Sequence, residues 1–293
     1  MRRTLVALAA ALLLFGCAKA PAGSPTPSAS ESEPVENTVV TVPTGATPAE
    51  KLLGAIAAAA VQSVSGYEAK ATNAPTDVNQ LIPDMEAAPS IHVDFARTLV
   101  EQGGEFEEVP GSEEIPEALA ELLGEKISVL QPTALSGSIV WVSKGDGSWG
   151  YWKSQKLTDP VAVVPSWAEN RSDGVESIRE LYSGEIKPNF VVQDDTLARA
   201  AALNDGTAIL GAFRACDVGE MAGLTPMSDD RGAALDDPVT LMVSTSLTES
   251  APDLVLKVKE VFDALTQDQF NQMEAQVVSG ADPAQVAATV VVG

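Results

Sequence analysis

Apolar positions along the chain switch repeatedly between a period of two and a period near 3.6, and each switch marks an element. Thr38 to Pro43 (TVVTVP) is a β-branched run that predicts a strand. Thr47-Pro48-Ala49-Glu50 has the form of a capping box with proline at the first helical position. Leu52, Leu53, Ile56, Ala60 and Val64 continue that helix at helical spacing until Gly66. Residues 67–72 alternate and predict a second strand. A helical segment over 77–87, broken at Pro83, leads to a strand over 90–95, a helix over 113–125 and a short strand over 127–130.

The second half repeats the theme. Strands are predicted over 138–143, 189–192, 207–213 and 239–244. A helix over 175–186 and another running from a cap at Asp194 to Asn204 lie between them. The carboxyl end is helical, with segments over 252–265, after the capping box Thr266-Gln-Asp-Gln269, and from Asp282-Pro283. Strand–helix alternation predicts an α/β fold with largely parallel sheets. Ligands in such folds sit beyond the carboxyl ends of strands, so residues just after each strand are the informative ones.

The first residues read as an address. Arg2 and Arg3 precede an uncharged, mostly apolar run over 4–16, too short to span a bilayer and suited to a signal peptide over 1–16. The run ends in Leu14-Phe15-Gly16-Cys17, which resembles the lipobox of bacterial lipoproteins. That resemblance implies lipidation at Cys17 and an anchor on the extracytoplasmic face of the cell membrane. Residues 18–36 contain Ala, Pro, Ser and Glu with a single Val and no aromatic, so 17–36 is expected to be a lipidated, disordered tether.

Composition removes several function classes. The 293-residue chain carries 41 acidic and 18 basic residues, a net charge of −23, which repels phosphate backbones and gives nucleic-acid binding no support. Loss of the leader would remove two arginines, leaving 16 against 41, or −25. One His and two Cys cannot build a tetrahedral Cys/His zinc site within one chain, and no metal or cofactor is expected. No G-x-S-x-G, S-x-x-K, H-E-x-x-H, C-x-x-C or Walker-type loop occurs. The acidic pairs Asp194-Asp195, Asp229-Asp230 and Asp236-Asp237 read as a helix cap and as loop solvation, His92 as a structural histidine within a strand, and Cys216 as inert. No enzyme is expected.

The order of elements resembles the substrate-binding proteins of ABC importers for glycine betaine, choline and related quaternary amines. The resemblance is carried by Leu235-Asp236-Asp237-Pro238, Ala251-Pro252-Asp253-Leu254, Met273-Glu274-Ala275-Gln276-Val277 and Asp282-Pro283-Ala284-Gln285-Val286-Ala287. Arg171-Ser172-Asp173-Gly174, Leu203-Asn204-Asp205-Gly206 and the turn Leu130-Gln131-Pro132 add to it. It implies a two-lobed, periplasmic-binding-protein-like fold of type II, with two mostly parallel sheets joined by a two-strand hinge. Lobe I is then expected over 37–136 plus 239–293, and lobe II over 137–238.

The implied function is capture of a small solute by lobe closure and its delivery to a membrane permease with an ATPase subunit. The protein is expected to act as a monomer. Quaternary ammoniums bind to ring faces, because such a cation has no proton to donate. By the resemblance, Phe95, Trp167 and Phe213 are candidate ring walls, Thr44 a candidate contact after the first strand, and Arg171 and Arg214 candidate partners for a ligand carboxylate. The cluster Trp149-Gly150-Tyr151-Trp152 is expected to pack a loop onto its lobe. A different reading keeps the fold but makes the chain a surface lipoprotein acting as a sensor or adhesin, with no transported ligand. That reading predicts a cleft without convergent polar and aromatic groups.

Overall fold

The computed structural model describes residues 37–75, 77–104, 109–154, 158–184, 186–217 and 219–291, apart from the side chain of Trp152. The expected leader, Cys17 and the tether lie outside the described residues. Among the described residues no helix is long and apolar enough to cross a membrane.

The chain opens with β1 (Thr38–Thr44), α1 (Pro48–Gln62) and β2 (Tyr67–Asn73), followed by α2 (Val78–Ala87) and β3 (Ile91–Phe95). Then come α3 (Ala96–Gly103), α4 (Ile115–Leu123) and β4 (Ile127–Val129). Strands β1 and β2 pair in parallel, and a parallel bridge from Thr41 to Ser90 links β1 to the start of β3. The first α1 turn is the expected capping box, with the Thr47 hydroxyl accepting from the Glu50 amide and the Glu50 carboxylate accepting from the Thr47 amide.

The middle of the chain builds a second sheet. It contains β5 (Ile139–Ser143), α5 (Trp149–Ser154), β6 (Val161–Val164), α6 (Ser166–Glu169), α7 (Val175–Leu181) and β7 (Asn189–Val192). After these come α8 (Thr196–Asp205), β8 (Leu210–Arg214) and β9 (Thr225–Pro226), giving the strand order β7-β6-β8-β5-β9. The chain then returns through β10 (Val239–Ser244), α9 (Thr245–Ser250), α10 (Pro252–Asp263), α11 (Gln267–Val278) and α12 (Pro283–Val291). Strand β10 runs antiparallel between β3 and β4 in the first sheet. In the second sheet, β6 is parallel to β7 and β8, while β5 is antiparallel to β8 and β9. The fold is therefore α/β in two lobes with mixed sheets: crossover helices impose the parallel pairings, and the strands at each crossing between lobes run against them.

Both sheets are covered on two faces. Val40, Val42, Val93 and Leu241 pack under α1, α10 and α11, while Met242 and Ile127 face Leu99, Leu119 and Met85 on the other side. In the second sheet Ala162 and Val164 face Ile178 and Tyr182, and Val163 faces Leu203 and Phe213. Trp149 joins this core, stacked on Tyr182 with ring centroids 4.1 Å apart, its indole N–H donating to Ser228 O at 2.7 Å. The lobes are connected by two antiparallel segments. The Thr133 amide donates to Val239 O, the Val239 amide to Leu135 O and the Gly137 amide to Asp237 O, at 2.8–2.9 Å.

Local expectations needed three corrections. Pro83 does not break its helix: it lies on the exposed side of α2, where the Asn79 carbonyl that lacks its amide partner is on the solvent side, while Val78, Leu81 and Met85 stay buried. The cap of α8 is Asp195, which accepts from the Ala198 amide at 3.0 Å; Asp194 instead accepts from the Ser166 amide at 2.7 Å. Asp237 is not a solvated loop residue. It is fully buried and accepts from the Arg97 and Thr98 amides at 2.8 and 3.2 Å, capping α3, whose own N-cap, Phe95, offers no side-chain acceptor.

The other Asp237 oxygen accepts from the Thr98 hydroxyl at 2.7 Å and pairs with the Arg171 guanidinium. Arg171 also makes a two-pronged pair with Asp173, at 2.8 and 2.7 Å. One carboxylate thus joins the crossover, the start of α3 and the second lobe. Removing one partner of a buried pair leaves the other charge unanswered, which costs about 3–5 kcal/mol. D237A is expected to lower stability by about that amount in urea denaturation at unchanged m-value. A loss below about 1 kcal/mol would show that the carboxylate is not the anchor described.

Candidate functional site

Between the lobes lies a cavity of about 340 Å³. Its first-lobe wall comes from the turn after β1 (Gly45, Ala46, Thr47), from Glu50 on α1, from His92 and Asp94 on β3, and from Thr98 on α3. The second lobe supplies Trp167 after β6, Asp194 after β7, and Arg214 and Asp217 at the end of β8. These positions are the carboxyl ends of strands, where such folds place ligands.

Arg214 dominates the site. Its guanidinium carbon lies 3.9 Å from the Phe95 ring centroid and 4.4 Å from that of Trp167, so a ring from each lobe holds the same cation. Phe95 is itself seated on Gly137 of the crossover: an added Cβ there would lie 2.2 Å from the ring. Arg214 Nη2 faces Glu50 Oε1 at 3.8 Å, and its Nε and Nη1 have no hydrogen-bond partner although the residue is only 2% exposed. The capping residue Glu50 therefore has two tasks, one oxygen on the Thr47 amide and the other turned to the cavity cation.

The neighbouring groups are already satisfied. His92 Nδ1 lies 2.9 Å from Pro43 O, and Nε2 lies 3.2 Å from Asp94 Oδ2. Burial would lower the histidine pKa, but the hydrogen bond and charge of Asp94 outweigh it and raise it above its ordinary value. Burial likewise pushes Asp94 up, yet His92 and then Arg214 hold the carboxyl below its ordinary value. The pair is an ion pair, with the other Asp94 oxygen on the Phe95 amide at 2.8 Å. Asp217 accepts from the Arg214 amide at 2.9 Å, and Asp194 is occupied by Ser166. Arg199 donates to Ala212 O, Gln193 O, Asp194 O and Thr196 Oγ1.

Of the expected site residues, the structure brings Phe95, Trp167 and Arg214 together. Arg171 adjoins them, its guanidinium 5.5 Å from the Trp167 centroid, but its hydrogen bonds go to Asp173, Asp237 and Thr98. Phe213 points to the opposite face of its sheet, packed with Val142, Val163 and Leu203 under Arg199. Thr44 packs against Gly54, its hydroxyl donating to Val42 O at 3.2 Å, and lines a separate groove beside α1. Sequence reasoning did not assign Glu50, Asp94, Arg199 or Asp217 to the cavity. Only Glu50 carried a signal, as the acceptor of its capping box.

No family model matches this chain, and no curated protein matches it. Solved structures do. Apo YehZ from Escherichia coli is similar at 18% identity with a TM-score of 0.65, covering 85% of this chain and 96% of that one. A glycine betaine/carnitine/choline ABC transporter structure is similar at 14% identity and TM-score 0.64, covering 86% and 97%. Lactococcal OpuAC, in its closed-liganded conformation with glycine betaine, is similar at 12% and 0.58, covering 87% and 95%. This chain has their two-lobed fold. At these identities the fold is what the comparison establishes, and the side chains of this cavity stand on their own geometry.

A second buried cluster joins the lobes outside the cavity. Glu220, after β8, and Glu274, on α11, are 4% and 0% exposed, and as carboxylates neither can donate to the other. Burial first, then repulsion from Asp217, raises Glu220 to about 7; burial, then Glu220 and Asp217, raises Glu274 to about 9. One proton held on Glu274 and donated to Glu220 settles the pair, with Arg199 the nearby cation. Cys216, alongside, is buried, and burial and then Asp217 push its thiol well above the ordinary value. Because the native pKa values are raised, the native state holds more protons than the unfolded chain above the ordinary glutamate range. The pair's contribution is full below pH 4.5 and is lost as pH rises through about 7 and about 9. Melting temperature is expected to fall across that window, and the fall to flatten in E274Q. An identical slope in E274Q would remove Glu274 as its source.

Proposed function

We propose that the protein is the solute-binding component of an ABC importer. It captures a small solute in the cavity between its lobes and delivers it to a permease driven by an ATPase subunit. The observation that carries this reading is Arg214: a buried cation on a cavity wall built by both lobes, with two hydrogen-bond donors unused. A sensor or adhesin that merely kept the fold would need no such convergence. Of the two solute classes expected, betaine- or choline-like and other carboxylated osmolytes, the unused donors favour a solute bearing a carboxylate, which accepts a charge-assisted hydrogen bond from a guanidinium N–H.

The moving parts follow the crossover. In this reading the lobes comprise 37–136 plus 239–293 and 137–238, and they close about the paired segments at Ser136 and Pro238. Closure brings Trp167 and Arg214 onto Phe95 and Glu50. Lipidation at Cys17, with the tether behind it, keeps the monomeric domain at the outer face of the membrane beside its permease. Affinity for the lobe-closed state alone is sufficient to shift the equilibrium toward closure.

Thermal shift of the purified protein against glycine betaine, carnitine, choline, proline and other amino acids is the direct test. A ligand at a hundredfold excess over its Kd adds about 2.7 kcal/mol, so a carboxylated solute at micromolar affinity is expected to raise the melting temperature by several degrees. No shift with any of these solutes, from a protein that still melts cooperatively, would count against the solute-binding reading.

A further inference from the structure

Two ring faces on either side of a cation form the arrangement that attracts a quaternary ammonium, since the rings offer negative faces and the ligand has nothing to donate. Here that arrangement exists, between Phe95 and Trp167, and Arg214 already fills it at 3.9 and 4.4 Å. The cation is supplied by the chain itself, from the last position of β8. Its backbone is pinned as well: the Arg214 amide donates to Asp217 and the Asp217 amide to Arg214 O, at 2.9 and 3.0 Å.

The remaining polar groups of the cavity point the same way. Glu50, Asp94, Asp194 and Asp217 each accept an internal hydrogen bond, and His92 and Arg199 are fully engaged. Among the described residues, Arg214 Nε and Nη1 are the only buried side-chain polar atoms of the cavity wall with no partner. What is missing is an acceptor for Arg214, not a cation.

Resting on the solute-binding reading above, we infer that Arg214 is a built-in occupant of the ring slot. It stands where a ligand cation would stand, excludes quaternary ammoniums, and offers the solute's carboxylate a charge-assisted hydrogen bond from an unused N–H. The solute class is then a small carboxylate whose balancing charge, where it has one, is an ammonium bearing protons that the acidic wall can accept.

The experiment is calorimetric titration of the wild-type protein, R214A and R214Q with choline and with tetramethylammonium, folding being verified by circular dichroism. The wild type is expected to bind neither measurably. In R214A or R214Q the slot is vacated, and choline affinity is expected to rise by about tenfold or more. The gain should disappear in W167A/R214A, which lacks one ring, while carboxylated solutes that bind the wild type should weaken about tenfold or more in R214A. Wild-type binding of choline as tight as that of the variants overturns the inference, and so does a folded R214A and R214Q with no gain. Choline binding to the variants is read without any native ligand. A wild type that binds no solute at all therefore defeats the broader reading separately.

Discussion

A guanidinium cannot lose its charge on burial, so every buried arginine must be answered in place by acceptors, carboxylates or rings. Among the described residues four arginines are almost wholly buried, and the structure is arranged around how each is met. Arg97 donates to Asp236 O and Pro110 O and pairs with Glu101. Arg171 takes two carboxylates, Asp173 and Asp237. Arg199 takes three backbone carbonyls and a hydroxyl. Arg214 takes two ring faces and a carboxylate at 3.8 Å, with two N–H groups left over. The first three are tied into the fold by hydrogen bonds, with only Arg97 Nη2 among them left without a partner. The fourth is met by rings and a distant carboxylate alone, and on that difference its proposed binding role rests.

The same requirement explains how the lobes register on one another. Arg171 belongs to the second lobe, Thr98 to α3 of the first, and Asp237 to the crossover, so satisfying one cation fixes three parts of the chain at once. Glu101 of α3 extends the contact by accepting from the Ser172 amide and hydroxyl at 2.7 and 2.9 Å. Trp167, touched by both Arg171 and Arg214, lies between this anchored edge and the cavity. The cavity is thus bordered on one side by contacts that hold its shape and lined on the other by Arg214, whose donors are not all used.

Much of the fold was legible because its signals are local. The capping boxes at Thr47–Glu50 and Thr266–Gln269 form as read, and the β-branched runs at 38–43 and 239–244 are strands. The omissions are the places where the cause is distant. Helix α3 has no cap of its own; its acceptor, Asp237, lies 140 positions away. Strand β6 (VAVV), paired on both sides in the second sheet, shows no alternation because Ala162 and Val164 are covered on one face and Val163 on the other. For the site, Phe95, Trp167 and Arg214 could each be named through the family resemblance. That the arginine stacks between the two rings is a relation between β3, α6 and β8, which no window of sequence contains.

The acidity of the chain, −23 overall, makes an anion an unexpected guest until the cavity charges are followed individually. Asp94 is neutralised by His92, Asp194 and Asp217 are tied to backbone amides, and one Glu50 oxygen caps α1. Their charges stabilise the cations around them more than they confront a ligand. Arg214, meanwhile, stands against both rings and is only 2% exposed, so in this arrangement of the lobes its water is already gone. A carboxylate entering the cavity gives up its own hydration but finds donors already stripped of theirs and fixed in orientation. Preorganisation of that kind raises affinity without adding contact area. On the proposed reading, it is how a cavity of about 340 Å³ would hold a small solute by one well-placed charge.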